Sequence, residues 1–270
     1  MSPPPLQSWS GERVLVTGAS SGIGAALARE LAAAGAVVGL CARRTALLDE
    51  VLADCQARQP GCRAWTVDLA ELDELEPFVR RVEDALGGID ILVNNAGLAL
   101  SGEAETTDWV DVEYLVRLNY LSPVRLARSV LPGMRARGHG HIVTVSSMAA
   151  RMSTPGEAAY AGPKAAVAAY FEALAGELWS SPIGIHLVYP ALIDLTSGVD
   201  GDDAIAETSN GADLIPAPVC AREIMRQVER GDLELYVPRT MAKAVADRAT
   251  NVARSVAFMA RWFEAGSPHA

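Results

Sequence analysis

From Arg13 onward, short runs rich in Val, Ile and Leu alternate with longer stretches in which apolar residues recur every three or four positions. Short apolar runs bounded by turn formers read as buried strands, and the longer period reads as amphipathic helix. The pattern predicts seven strands, over Arg13–Thr17, Val37–Ala42, Arg63–Val67, Ile89–Asn94, His141–Ser146, Ile185–Tyr189 and Leu233–Val237. Helices are predicted over Ile23–Ala34, Thr45–Ala57, Leu72–Leu86, Thr107–Arg137, Ala158–Trp179 and Pro218–Arg230. In the first of these, Ile23, Leu27 and Leu31 share one face, and Gly35 is placed to end it. Strict alternation of strand and helix yields a parallel sheet, and right-handed crossovers make it doubly wound. The expected fold is therefore α/β, a seven-stranded parallel sheet with helices on both faces.

The 270 residues suit one large domain. Residues 11–238 carry the alternation, 1–10 read as a flexible leader with three prolines, and 239–270 read as a helical extension of the same domain. In that extension Met241, Val245, Val252, Val256, Met259 and Phe263 fall within about 60° on a helical wheel. Five cations (Arg239, Lys243, Arg248, Arg254, Arg261) face one acid, Asp247, over the same stretch. Such a basic amphipathic helix can cover a pocket mouth or touch an anionic membrane surface. Packing on protein is the favoured reading.

Half of the residues are hydrophobic, which excludes general disorder, and the net charge of −10 offers no field for a nucleic-acid backbone. Nucleic acid is therefore not expected as a partner. Cys41, Cys55, Cys62 and Cys220 form no C-x-x-C pair and read as reduced thiols, so a cytoplasmic protein is expected. His139, His141, His186 and His269 have no metal-ligand spacing, and no metal is expected. The start has no secretory-signal anatomy, and no apolar run reaches eighteen residues.

The first strand runs into Thr17-Gly18-Ala19-Ser20-Ser21-Gly22-Ile23-Gly24 and then a helix. Glycines let the backbone approach a diphosphate, and the helix N-terminus supplies unpaired N–H groups and a favourable dipole. At the first βα junction this points to a dinucleotide. The second strand ends in Ala42-Arg43-Arg44, with no acid to receive the ribose hydroxyls. Two guanidiniums there favour a 2′-phosphate, so NADP (NADPH) is expected over NAD.

The fifth strand ends at Ser146-Ser147, and Tyr160 follows with Lys164 four residues later. Tyr and Lys four apart share a helix face, so the ammonium can lower the phenol pKa and make it a usable acid/base. Ser147 can hold a substrate oxygen near Tyr160, and Asn119 adds a polar group from the preceding long helix.

In this set of motifs the chain resembles the short-chain dehydrogenase/reductase family, over about Arg13 to Val237. Thr17–Gly24 look like its cofactor loop, with Gly18, Ser20, Ser21, Gly22, Ile23 and Gly24 as binding residues, and Asn94-Asn95-Ala96-Gly97 like its fourth-strand motif. Asn119, Ser147, Tyr160 and Lys164 look like its catalytic tetrad. The resemblance implies a Rossmann fold and hydride exchange between a nicotinamide and an alcohol or ketone carbon. It implies that Asp68 and Leu69 meet adenine, that Asn95, Ala96 and Gly97 line the adenosine side, and that Lys164 also holds the nicotinamide ribose. Asn119 would help a water chain reload the site through Lys164, and the protein would be a homodimer or homotetramer packed through the helices of Asn119 and Tyr160.

After the sixth strand the run Pro190-Ala191-Leu192-Ile193-Asp194-Leu195-Thr196 departs from the family's Pro-Gly-aliphatic-Thr pattern, with Pro190 and Ile193 still able to face the carboxamide. Pro163 replaces the usual Ser or Thr. Asp194–Pro216 is expected to be a substrate loop. Leu98, Leu100, Met148 and Met152 could surround a fairly hydrophobic carbonyl or alcohol substrate. The alternative is a nucleotide-binding regulatory protein on the same fold without turnover.

Overall fold

The computed structural model describes residues 4–194, 206–207 and 213–264. Seven strands form the main sheet: β1 (Arg13–Thr17), β2 (Val37–Ala42), β3 (Arg63–Thr66), β4 (Ile91–Asn94), β5 (Gly140–Val145), β6 (Ile183–Pro190) and, last in the chain, β10 (Glu234–Val237). Their spatial order is β10-β6-β5-β4-β1-β2-β3, and every pairing is parallel. The expected α/β fold with seven parallel strands is the observed one, with strand ends displaced by at most two residues.

The chain leaves β1 towards β2 and β3, then returns to the other side of β1 to place β4. That reversal opens a crevice at the carboxyl ends of β1 and β4, where such sheets bind ligands. Side chains alternate across the sheet as a period of two requires. Val14, Val16, Ile91 and Val93 point into one core, under α1 (Gly22–Ala33), α2 (Thr45–Gln56) and α7 (Ala217–Arg230). Leu15, Leu92 and Ile142 point into the other, under α3 (Leu75–Leu86), α5 (Ser122–Arg137) and α6 (Ala158–Glu177). Both faces are buried, which is why the central strands read as continuous apolar runs.

The predicted helix Thr107–Arg137 is interrupted. α4 (Trp109–Val116) passes into a π-helical turn over Arg117–Leu121 before α5 begins. Pro123 cannot donate the α-helical bond to the Asn119 carbonyl, and the turn widens there, with the Ser122 N–H bonded to Arg117 O. The widened turn carries Asn119.

Within the expected loop Asp194–Pro216 the described residues form a small sheet. In it β7 (Ile193–Asp194) pairs parallel with β9 (Asp213–Pro216), and β8 (Ala206–Glu207) pairs antiparallel with β9. Residues 195–205 and 208–212, including Thr196, lie outside the described residues.

Two expectations about the ends are corrected. Leu6 and Trp9 are buried against α7, with Leu6 N–H bonded to Val228 O and the Trp9 indole to Glu229, so residues 4–10 pack rather than form a flexible leader. Burial of two large apolar side chains outweighs the ordering of this short segment. The tail is two helices, not one stripe: α8 (Met241–Thr250) and α9 (Val252–Glu264) meet at Asn251, whose Oδ1 caps α9 by accepting from Arg254 N–H at 2.9 Å. Met241 and Val245 pack on the core, while Val252 and Val256 remain 48% and 61% exposed. No described helix is long and apolar enough to cross a membrane.

At the opposite end of the sheet from the crevice, His186 Nδ1 lies 2.8 Å from Asp232 O, so it must donate. Neutral His186 Nε2 is then an acceptor, and His141 Nδ1–H donates to it across 3.1 Å. Burial holds His141 down at about 3 and His186 at about 4. The unfolded chain therefore takes up protons near pH 6.5 that the folded chain refuses, so stability is fully present above that pH and falls below it. Denaturant titrations should show a loss of about 2 kcal/mol per pH unit between pH 6 and 4. A flat profile there would remove the buried neutral pair.

Candidate active site

The crevice is a cleft of about 630 Å3. Its floor is the glycine loop, held by Thr17. The Thr17 hydroxyl donates to Val93 O and accepts from the backbone N–H groups of Asn95 and Ala96, stitching the end of β1 to that of β4. Asn95 Nδ2 donates to Thr17 O at 2.8 Å, closing the junction. Gly18 has φ of +67°, and a Cβ on it would stand 2.8 Å from Ala96 Cα. A Cβ on Gly24 would stand 2.4 Å from both Asn95 Nδ2 and Gly18 O. Only hydrogen fits at either place. Gly18, Ser20, Ser21, Gly22 and Ile23 line the cleft, and Gly24 packs immediately beneath it.

The two arginines after β2 have different partners. Arg44 reaches back to the loop and donates to Ser20 Oγ at 3.1 Å and to Ser21 Oγ. Arg43 turns the other way: it bonds the Tyr114 hydroxyl, lies over the Tyr114 ring and sits 3.6 Å from Asp68. Asp68 is fixed by the Ala70 N–H at 2.9 Å. Leu69, Asn95, Ala96 and Gly97 also line the cleft.

At the far end, β5 and α6 converge. Ser146 Oγ donates to Lys164 O, and Lys164 Nζ donates to Val145 O at 3.0 Å, locking α6 onto the tip of β5. Ser147 Oγ accepts from Ala149 N–H, and Ser147 lines the cleft together with Tyr160. Lys164 Nζ stands 5.9 Å from the centre of the Tyr160 ring. Asn119 is buried and spends its amide on Leu98: Nδ2 donates to Leu98 O, and Oδ1 accepts Leu98 N–H. A Cβ on Gly97 would stand 2.9 Å from Asn119 Oδ1 and 3.1 Å from Lys164 Nζ, so these two groups flank Gly97. Ser147, Tyr160 and Lys164 thus line one cleft, and the buried Asn119 stands behind Leu98 and Gly97 of its wall.

Their electrostatics differ from expectation in one respect. Burial pushes the Tyr160 phenol above its ordinary value, a shift the neighbouring Ser147 side chain opposes and the Glu157 charge adds to. Burial brings the Lys164 ammonium down to about 8. Desolvation outweighs the expected downward pull of Lys164 on Tyr160, because Lys164 Nζ is turned onto the Val145 carbonyl. The result is a phenol that stays protonated at neutral pH.

The profile of one protein family, described as short chain dehydrogenase, matches residues 12–203. The chain belongs to the short-chain dehydrogenase family. Relatives include rat dehydrogenase/reductase SDR family member 7B, 39% identical over 194 residues, which are 69% of this chain and 59% of the rat protein. A fatty acyl-CoA reductase of Mycobacterium tuberculosis is 38% identical over 206 residues, 73% of this chain and 69% of that protein. Among solved structures, a short-chain dehydrogenase from Streptomyces avermitilis superposes with a TM-score of 0.76 at 30% identity, covering 89% of this chain and 94% of that one. A metagenomic short-chain oxidoreductase in complex with NADP superposes with a TM-score of 0.70 at 30% identity, covering 83% and 92%. Members of this family are oxidoreductases that use a nicotinamide dinucleotide.

Of the residues expected around a substrate, Leu98 lines the cleft, while Met148 and Met152 pack into the core. Pro190 and Ile193 line it too, despite the altered run that contains them. The sequence reading missed Thr17 as the stitch between strands and Glu157 as a wall residue, although Glu157 stands one helical turn before Tyr160.

Proposed function

We propose that the protein exchanges a hydride between NADP(H) and the alcohol or ketone carbon of a fairly hydrophobic substrate, with Tyr160 as proton donor and acceptor. The observation that carries this is the convergence of Tyr160, Ser147 and Lys164 in one cleft that opens onto the glycine loop. The cradle suits a dinucleotide: side-chain-free approaches at Gly18 and Gly24, and Arg44 poised on the Ser20 and Ser21 hydroxyls. Arg44 with those serines forms the 2′-phosphate niche, and Arg43, held by Tyr114 and Asp68, covers the adenosine. That division supports NADP over NAD, as does a structural relative described in complex with NADP.

When bound, the nicotinamide supplies the hydride. Ser147 orients the substrate oxygen, and Tyr160, protonated at neutral pH, donates to it. Lys164, still cationic below about pH 8, offsets the charge left on the phenolate. Asn119 fixes Leu98 at the substrate wall through its amide and would help a water chain reload the site through Lys164. Leu98, Ala99, Leu192, Ile193 and Leu214 give that wall its apolar character. Trp109 and Val110, 71% and 75% exposed at the start of α4, support self-association along the helices of Asn119 and Tyr160.

A panel of hydrophobic ketones with NADPH tests the assignment through ketone-dependent loss of NADPH absorbance. The kcat/KM for reduction should be flat below about pH 8 and fall about tenfold per unit above it, as Lys164 loses its proton. Lys164→Met should lower the plateau about 100-fold and abolish the inflection. An unchanged inflection in that variant would remove Lys164 from the proton chemistry.

A further inference from the structure

The charged side chains among the described residues lining the cleft divide into two groups. Arg43, Arg44 and Asp68 lie at the adenosine end, and Lys164 and Glu157 lie at the end where Tyr160 and Ser147 meet. Lys164 is buried and turned onto the Val145 carbonyl. Glu157 is half-buried, so it presents the one accessible formal charge at that end among the described lining residues.

Glu157 is held in place. It stands at the entry to α6, and its carbonyl accepts from Tyr160 N–H at 3.1 Å and Ala161 N–H at 2.8 Å. Its Oε2 accepts from the Thr154 hydroxyl, which leaves Oε1 with no hydrogen-bond partner among the described residues. The loop behind it is tied across the mouth by Gly102 N–H bonded to Gly156 O at 2.8 Å. The negative charge is close enough to the Tyr160 phenol to oppose its ionisation. An oriented carboxylate with one open oxygen attracts a donor or a cation and repels an anion.

We propose that Glu157 determines specificity at the substrate end of the cleft, favouring carbonyl compounds that carry a hydroxyl or ammonium group beyond the reacting carbon and rejecting carboxylates and phosphates there. This rests on the reading of that end as a ketone site. Chain ends made only of methylene groups are accepted by the Leu98 and Leu192 wall, but the distal polar group is selected by Glu157.

The test uses the NADPH-loaded full chain and three linear ketones of equal length ending in methyl, ammonium or carboxylate. Quenching of NADPH fluorescence gives the dissociation constant of each, and reduction gives kcat/KM. Wild type should bind the ammonium ketone about tenfold or more tightly than the carboxylate ketone. Glu157→Asp should keep that order, and Glu157→Gln should bring the ratio to within about twofold of unity. A ratio retained in Glu157→Gln, no discrimination by wild type, or no binding of any of the three overturns the proposal. Binding in the expected charge order without reduction of any ketone supports Glu157 as the selector and removes the hydride-transfer reading instead.

Discussion

Tyr160→Phe is expected to lower ketone-dependent turnover about 1,000-fold while leaving NADPH affinity within about threefold of wild type. The ring stays, so the packing of α6 and the position of Lys164 should survive; only the hydroxyl that would exchange the proton goes. No other phenol or imidazole lines the cleft among the described residues, so nothing nearby can take over the proton. Steady-state kinetics beside a fluorescence titration reads both quantities on one preparation. Turnover within tenfold of wild type would move the acid/base elsewhere, and a large loss of NADPH affinity would mean the variant damages the site itself.

Gly24→Ala is expected to cost about 2–3 kcal/mol of stability and to weaken nucleotide binding more than tenfold. The added methyl would stand 2.4 Å from Gly18 O, a backbone atom that cannot swing aside, and 2.4 Å from Asn95 Nδ2. Moving Asn95 breaks its bond to Thr17 O, and moving Gly18 shifts the loop that meets the diphosphate. Thermal denaturation with and without NADPH checks this: the variant should melt lower and gain little from ligand. A wild-type melting temperature with a full ligand-induced shift would show that the loop tolerates a side chain.

The fold was legible because its determinants are local. Val14, Leu15 and Val16 alternate between two cores, and each strand hands over to a helix whose apolar face is visible in the spacing of Ile23, Leu27 and Leu31. The site was legible because Ser147, Tyr160 and Lys164 sit at the ends of those same elements. What escaped depends on contacts distant in the chain or on a single backbone atom. Trp9 finds Glu229 across 220 positions, which no local pattern announces in a segment with three prolines. The widened turn at Asn119 hides inside an unbroken helical period, and its one signal is Pro123, four residues on. Asn251 reads as a polar residue on a helix wheel, yet it ends one helix and caps the next. The phenol pKa went the other way because the sequence shows the Tyr–Lys spacing but not the depth of burial or the Val145 carbonyl that holds the ammonium.

The central claim, that this cleft holds NADP through Arg44 and the glycine loop, is tested most directly by titrating NADPH and NADH into wild type, Arg43→Ala and Arg44→Ala. Wild type should bind NADPH at least about tenfold more tightly than NADH, Arg44→Ala should erase most of that difference, and Arg43→Ala should weaken both nucleotides alike. Equal affinities for the two nucleotides in wild type, or a preference that survives Arg44→Ala, would contradict the account.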